Sequence, residues 1–167
     1  MSADATPDAT PDVAALLSRE AIRLDGHAAD KWAAVRLAGG VLVEVGAVAQ
    51  DYVPAMVERE ESISTYVGEG VAIPHATLGG KAHVLRDALA VVRFAEPVDW
   101  DGAPVTLAIG IAATGDGHIA ILAELAQILL DPERAAGLRA ATTADEVLAL
   151  LTPADPADDV TTHEGVS

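Results

Sequence analysis

Apolar residues along this chain change their period several times, and each change marks an element. From about Ala29 to Val45, the residues Trp32, Val35, Ala38 or Gly39, Leu42 and Val45 recur at three- and four-residue steps. That spacing predicts one helix face, with Gly46 as its stop. Asp51 stands as the N-cap of a second helix, which admits Pro54 in its first turn and has Val53, Met56 and Val57 on its apolar side. This helix ends in Glu58-Arg59-Glu60-Glu61, where Arg59 is the only cation in an acidic surface run. The period then shortens. Thr65-Tyr66-Val67 is β-prone, Gly68-Glu69-Gly70 is a turn, and Val71-Ala72-Ile73 is an apolar run halted by Pro74, which lacks a backbone N–H.

Later segments follow the same logic. A polar connection through Gly79-Gly80-Lys81 leads to a short helical turn at residues 82–85. Residues 88–94 read as a strand, followed by a loop with Pro97, Gly102 and Pro104 in which Trp100 lies as a lid on the core. Residues 105–112 are apolar almost throughout, as a central strand covered on both faces requires. Ile121 or Leu122, Leu125, Ile128 and Leu129 share a face with His118 on a third helix. Asp131-Pro132 caps and opens a fourth, and Thr143-Ala144-Asp145-Glu146 has capping-box spacing for a last one reaching Leu151. A turn over residues 13–17 and a strand-like stretch at 21–24 precede all of these. Helices and strands alternate loosely, so the predicted class is α/β: one compact domain, residues 13–151, with a mixed central β-sheet sandwiched between helix layers. Residues 1–12, which repeat ATPD, and residues 152–167 are acidic, lack any apolar period and are expected to be disordered tails.

Composition narrows the chemistry. Of 167 residues, 51% are hydrophobic but only 3% aromatic, so the core is built of Ala, Val, Leu and Ile. With no cysteine, disulfides, thiolate catalysis and thiolate metal sites are excluded. The formal charge is −16, and it is −9 for the body once the seven acids of the tails are set aside. An acidic body repels nucleic-acid phosphates and anionic membranes. The N-terminus lacks the basic and apolar regions of a signal peptide. The longest apolar run, residues 38–49, falls well short of the roughly 20 residues that span a bilayer. The expectation is a cytoplasmic protein with no membrane insertion and no nucleic-acid partner.

Candidate chemistry gathers at two histidines. His75 follows Pro74 at a strand end, where imidazole, with a pKa near neutrality, reaches solvent. His118 stands in the first turn of the third helix, just after the loop Gly115-Asp116-Gly117; such a terminus presents unpaired N–H groups and the positive end of the helix dipole. If the strands ending at Pro74 and Ala112 are neighbours, both imidazoles meet at one rim with Arg59 nearby. Such a group suits a phosphoryl moiety, with one imidazole as nucleophile and the others donating to the developing negative charge. There is no GxxxxGK[ST] loop and no GxGxxG after a strand, so the donor is expected to be a phosphorylated protein, with no cofactor. A metal site on His75, His83 and His118 lacks thiolates and HExxH spacing, and a serine hydrolase lacks GxSxG.

These residues carry a family resemblance. From Leu16 to Leu151 the chain resembles the enzyme IIA component of the phosphoenolpyruvate-dependent sugar phosphotransferase system, mannitol/fructose class. The likeness rests on YVPAMVERE (52–60), STYVGEGVAIPHAT (64–77), FAEPVDWDG (94–102) and IGIAATGDGHIAIL (109–122), and is greatest to the mannitol branch. It implies that His75 is the phosphorylated residue, accepting from the phosphocarrier HPr and passing the group to a cysteine of a mannitol-type IIB domain. It implies further that His118 is the second active-site histidine and that Arg59 is the active-site arginine. A regulatory phosphoacceptor of the fructose/nitrogen-regulatory type of IIA, whose phosphorylation state controls binding to a target protein, is the alternative. One position departs from the pattern: the family motif continues IPHG, and here Ala76 follows His75.

Overall fold

The computed structural model describes residues 13–114 and 117–151; the expectations for the tails and for Gly115-Asp116 lie outside the described residues. Strands β1 (Ile22–Gly26), β2 (Tyr66–Gly68), β3 (Val71–Ala72), β4 (Ala88–Trp100) and β5 (Ala103–Ala112) form one sheet in the order β1-β4-β5-β3-β2. β1 is parallel to β4 and β3 is parallel to β5, whereas β4–β5 and β2–β3 are antiparallel. The most apolar run, β5, therefore occupies the centre, and Leu107–Ala112 is buried on both alternating faces.

Helix α1 (Lys31–Glu44) covers one of those faces. At Gly110 a Cβ would stand 3.4 Å from the Ala38 methyl and 3.6 Å from Ala38 O, so helix and strand lie one methyl contact apart. α2 (Tyr52–Ser62) packs on α1, with Met56 and Val53 against Gly39. α3 (Gly117–Leu129), α4 (Pro132–Ala140) and α5 (Ala144–Leu151), with the 3-10 turn Val13–Leu16, cover the opposite side. The mixed sheet between helix layers matches the expectation. Among the described residues no helix is long and apolar enough to cross a membrane.

Several local signals act as read. Gly46 takes φ +78 and closes α1, its N–H bonding Val43 O while the Ala47 N–H bonds Leu42 O. Asp131 accepts from the Glu133 and Arg134 amides. Thr143 Oγ1 accepts from the Glu146 amide at 3.1 Å, and the Glu146 carboxylate returns to the Thr142 amide at 2.7 Å, one residue before the usual capping-box partner.

Four expectations are corrected. Asp51 does not cap α2: it is already in the αR region and its side chain makes no cap hydrogen bond, while Tyr52 N–H bonds Ala49 O. The helical turn falls at Leu78–His83 rather than 82–85, because Val84 leaves it to bridge Val48. The loop expected at 95–104 is a hairpin. β4 runs through Pro97, where the ladder is irregular between Arg93 and Val98, to Trp100, and Asp101-Gly102 makes a two-residue turn with φ of 57 and 98. Both central residues have positive φ, the conformation for which Asp-Gly is favoured in tight hairpins. Trp100 is thus the last residue of a strand, buried inside the core.

The fourth correction concerns the acidic run. Glu60 is buried, not a surface group. Its carboxylate accepts from Thr65 N–H (3.0 Å), Thr65 Oγ1 (2.5 Å) and Trp100 Nε1 (2.9 Å), with Lys31 Nζ at 3.8 Å. One carboxylate thereby joins the end of α2, the connection to β2, the end of β4 and the start of α1.

Candidate functional site

The parallel pairing of β3 with β5 decides where His75 stands. Val71 and Ala72 pair with Leu107 and Ala108, and the Ile111 N–H donates to Pro74 O at 3.0 Å. The chain therefore keeps alongside β5 to its last residues. Pro74 has no N–H to extend the ladder, so His75 emerges at the sheet rim next to the end of β5. The neighbouring strand ends required by the sequence argument are present.

His75 is 8% exposed. Its Nδ1 lies 2.9 Å from Ile73 O. A carbonyl can only accept, so Nδ1 carries the ring proton and Nε2 carries the lone pair. A backbone carbonyl thus sets the tautomer in which Nε2 can act as a base or nucleophile.

Beneath this segment lies Tyr52, 4% exposed, whose hydroxyl donates to Ile111 O at 2.6 Å. Burial pushes its phenol up to about 12, opposed in part by a backbone hydrogen bond from Ala76. A group whose folded pKa exceeds its unfolded value of about 10 stabilises the fold below pH 10, and that stabilisation is lost as pH rises through 12. Two pKa units correspond to about 2–3 kcal/mol. Urea unfolding from pH 8 to 12 should show this loss in the wild type and lack it in Tyr52→Phe; parallel curves would contradict the assignment.

Ala76 fits where the family motif has glycine. Among the described residues only Glu69 and Asp101 combine a side chain with positive φ, so Ala76 holds an ordinary backbone conformation. Room for its methyl comes from Gly80, where a Cβ would fall 2.7 Å from Ala76 Cβ and 2.8 Å from Ala55 Cβ. Neither methyl can swing aside. Gly80→Ala should cost about 1–3 kcal/mol by overpacking and shift the His75 segment; an unchanged melting temperature would show that the loop relaxes freely.

The chain leaving β5 is also held. Asp87 Oδ1 accepts from the Thr114 amide (2.7 Å) and hydroxyl (3.1 Å), and Gly117 N–H bonds Thr114 O. α3 begins at Gly117, so the His118 backbone lies in its first turn, six residues beyond the end of β5; the His118 side chain lies outside what is described. Arg59, in the last turn of α2, donates from Nη1 to Ile63 O at 2.7 Å, which fastens it to the connection entering β2. His83 lines a shallow hollow with Asp51, Pro54, Ala55, Glu58 and Thr77. An apolar groove of about 560 Å3 runs between the β2–β3 turn and α3, lined by Val67, Ile73, Leu122, Leu129 and Leu130.

Sequence reasoning missed Tyr52 and Asp87. Tyr52 opens one of the quoted motifs and lies four residues before the buried Met56, a helix-face signal that was available. Asp87 precedes a strand with nothing local to mark it.

Comparison with known proteins adds four findings. The family model described as phosphoenolpyruvate-dependent sugar phosphotransferase system, EIIA 2, matches residues 15–153. The mannitol-specific phosphotransferase enzyme IIA component of Halalkalibacterium halodurans is 42% identical over 136 residues, covering 81% of this chain and 94% of that protein. The multiphosphoryl transfer protein of Escherichia coli O157:H7 is 43% identical, but the chain spans only 36% of its length. Among solved structures, the complex of enzyme IIAMTL and phosphorylated enzyme IIBMTL from Escherichia coli contains a chain that aligns with a TM-score of 0.75 at 37% identity, over 81% of this chain and 98% of that one.

Proposed function

This chain belongs to the EIIA 2 family of the phosphoenolpyruvate-dependent sugar phosphotransferase system, and from that membership we propose that it carries a phosphoryl group on His75 during mannitol uptake. It accepts the group from HPr and delivers it to a cysteine of a mannitol IIB domain. The observation that carries this reading is the His75 ring, set by Ile73 O at a strand end beside the route into α3.

The chemistry follows from the tautomer. Nε2 attacks phosphorus in line; the new P–N bond forms as the bond to the donor breaks, and that electron pair returns to the donor. Nδ1 keeps its proton, so the ring becomes positively charged, and the Ile73 carbonyl stabilises the cation. Hydrogen bonds to charged groups are worth about 1.5–3 kcal/mol, against about 0.5–1.5 for neutral ones. In the onward step a cysteine thiolate displaces the phosphoryl group from Nε2 and the ring returns to neutral. His118, with the amides of the α3 terminus, and Arg59 donate to the phosphoryl oxygens as negative charge shifts among them.

Both exchanges need a protein partner seated over the histidine. The apolar groove that shares Ile73 supports this, together with the exposed Val67 and Leu130 at its edge and Ile119 next to His118. The test is transfer: the phosphorylated chain, mixed with a mannitol IIB domain, should lose its phosphoryl group to that domain. Retention of the group, with release on addition of another protein instead, would favour the regulatory role.

A further inference from the structure

We propose that Tyr52 is a positioning residue for phosphoryl transfer, its phenol completing a hydrogen-bonded bridge that fixes both peptide units flanking His75 to β5. The inference rests on His75 being the acceptor. On the near side, Pro74 O receives the Ile111 N–H at 3.0 Å. From the same residue of β5, Ile111 O receives the Tyr52 hydroxyl at 2.6 Å. The phenol oxygen in turn takes a backbone hydrogen bond from Ala76, on the far side of the histidine. One residue of β5 thus anchors the chain before His75 directly and the chain after it through Tyr52.

Position matters here because the imidazole has its own short tether, Nδ1 to Ile73 O at 2.9 Å. That bond sets the ring only while the backbone of residues 73–76 stays put. Tyr52 is itself closely packed. It is 4% exposed, it opens the first turn of α2, and its ring packs where a Gly80 Cβ would lie 3.7 Å from Cδ1. The hydroxyl is the one part of this side chain that a phenylalanine lacks, so its contribution can be separated from packing.

Tyr52→Phe should accept phosphoryl groups from HPr about tenfold more slowly at saturating donor, with an unchanged KM, since sub-ångström misplacement lowers the rate of an in-line displacement rather than partner affinity. Nitrogen NMR of His75 should show the Nδ1–H tautomer in the wild type and a mixture in the variant, a change that loss of global stability alone would not produce. Wild-type kinetics in Tyr52→Phe, or an unaltered tautomer, overturns the inference. Should the variant fail to fold, amide exchange of the unaltered protein decides: the Ala76 and Ile111 amides should exchange only by global opening, and loop-like exchange at Ala76 overturns the bridge. If the wild type takes up no phosphoryl group on His75, the functional reading fails, and tautomer and exchange still test the bridge by themselves.

Discussion

His75→Ala, incubated with phosphoenolpyruvate, enzyme I and HPr, gains no phosphoryl group by mass, whereas the wild-type chain gains one. The expectation is a complete loss, because nucleophilic transfer through a covalent intermediate has no fallback when the nucleophile is deleted. Fold is not expected to suffer. The segment around His75 stays fixed by the Ile111–Pro74 bond and by Tyr52. The ring is 8% exposed, so its truncation leaves a small cavity at the sheet rim, which should lower the melting temperature without unfolding the chain. Phosphorylation persisting in His75→Ala would move the acceptor to another histidine, with His118 and His83 the positions to examine. A wild type that gains nothing would remove the carrier function itself.

The parts of this molecule legible in the sequence are those whose signals are local. The centre of the sheet was visible in the unbroken apolar run of β5, the rim in Pro74, and the helix ends in Gly46, Asp131 and Thr143. The His75 site could be placed because a parallel neighbour for β5 brings the two strand ends together, and that pairing is present. What escaped depended on distant partners. Asp101-Gly102 has hairpin chemistry, yet Pro97 and Pro104 on either side obscured it until pairing of Val98, Asp99 and Trp100 with β5 overrode them. Asp51 looks like a cap, but the α2 entrance is closed by the Tyr52 and Val53 amides donating to the Ala49 and Gln50 carbonyls. The helix-face spacing of Tyr52 and Met56 is local, but nothing local marks the bond from the Tyr52 hydroxyl to Ile111 O, 59 residues away.

Glu60 shows the same dependence on distant partners, and its removal carries the largest expected cost in stability. A carboxylate within Glu58-Arg59-Glu60-Glu61 resembles its neighbours until Thr65 and Trp100 converge on it. Glu60→Ala leaves the Thr65 amide, the Thr65 hydroxyl and the Trp100 indole N–H buried without an acceptor. Each orphaned donor costs about 1–3 kcal/mol, and removing one member of a buried ion pair typically costs about 3–5. Lys31 softens the second effect, because Asp101 remains 2.7 Å from its Nζ. A net loss of about 3–5 kcal/mol is expected, a large part of the roughly 5–15 kcal/mol that holds a typical domain together. Glu60→Gln should fall between the two, since its amide oxygen still accepts while its NH2 opposes one of the donors. Urea midpoints at constant m value provide the measurement, and Glu60→Ala within about 1 kcal/mol of wild type would mean that water replaces the carboxylate. The consequence reaches the site. Ile63 and Thr65 flank the turn into β2, with Arg59 bonded to one and Glu60 to the other. Any Glu60 variant that still folds should therefore transfer phosphoryl groups more slowly, with Arg59 no longer held against a fixed backbone.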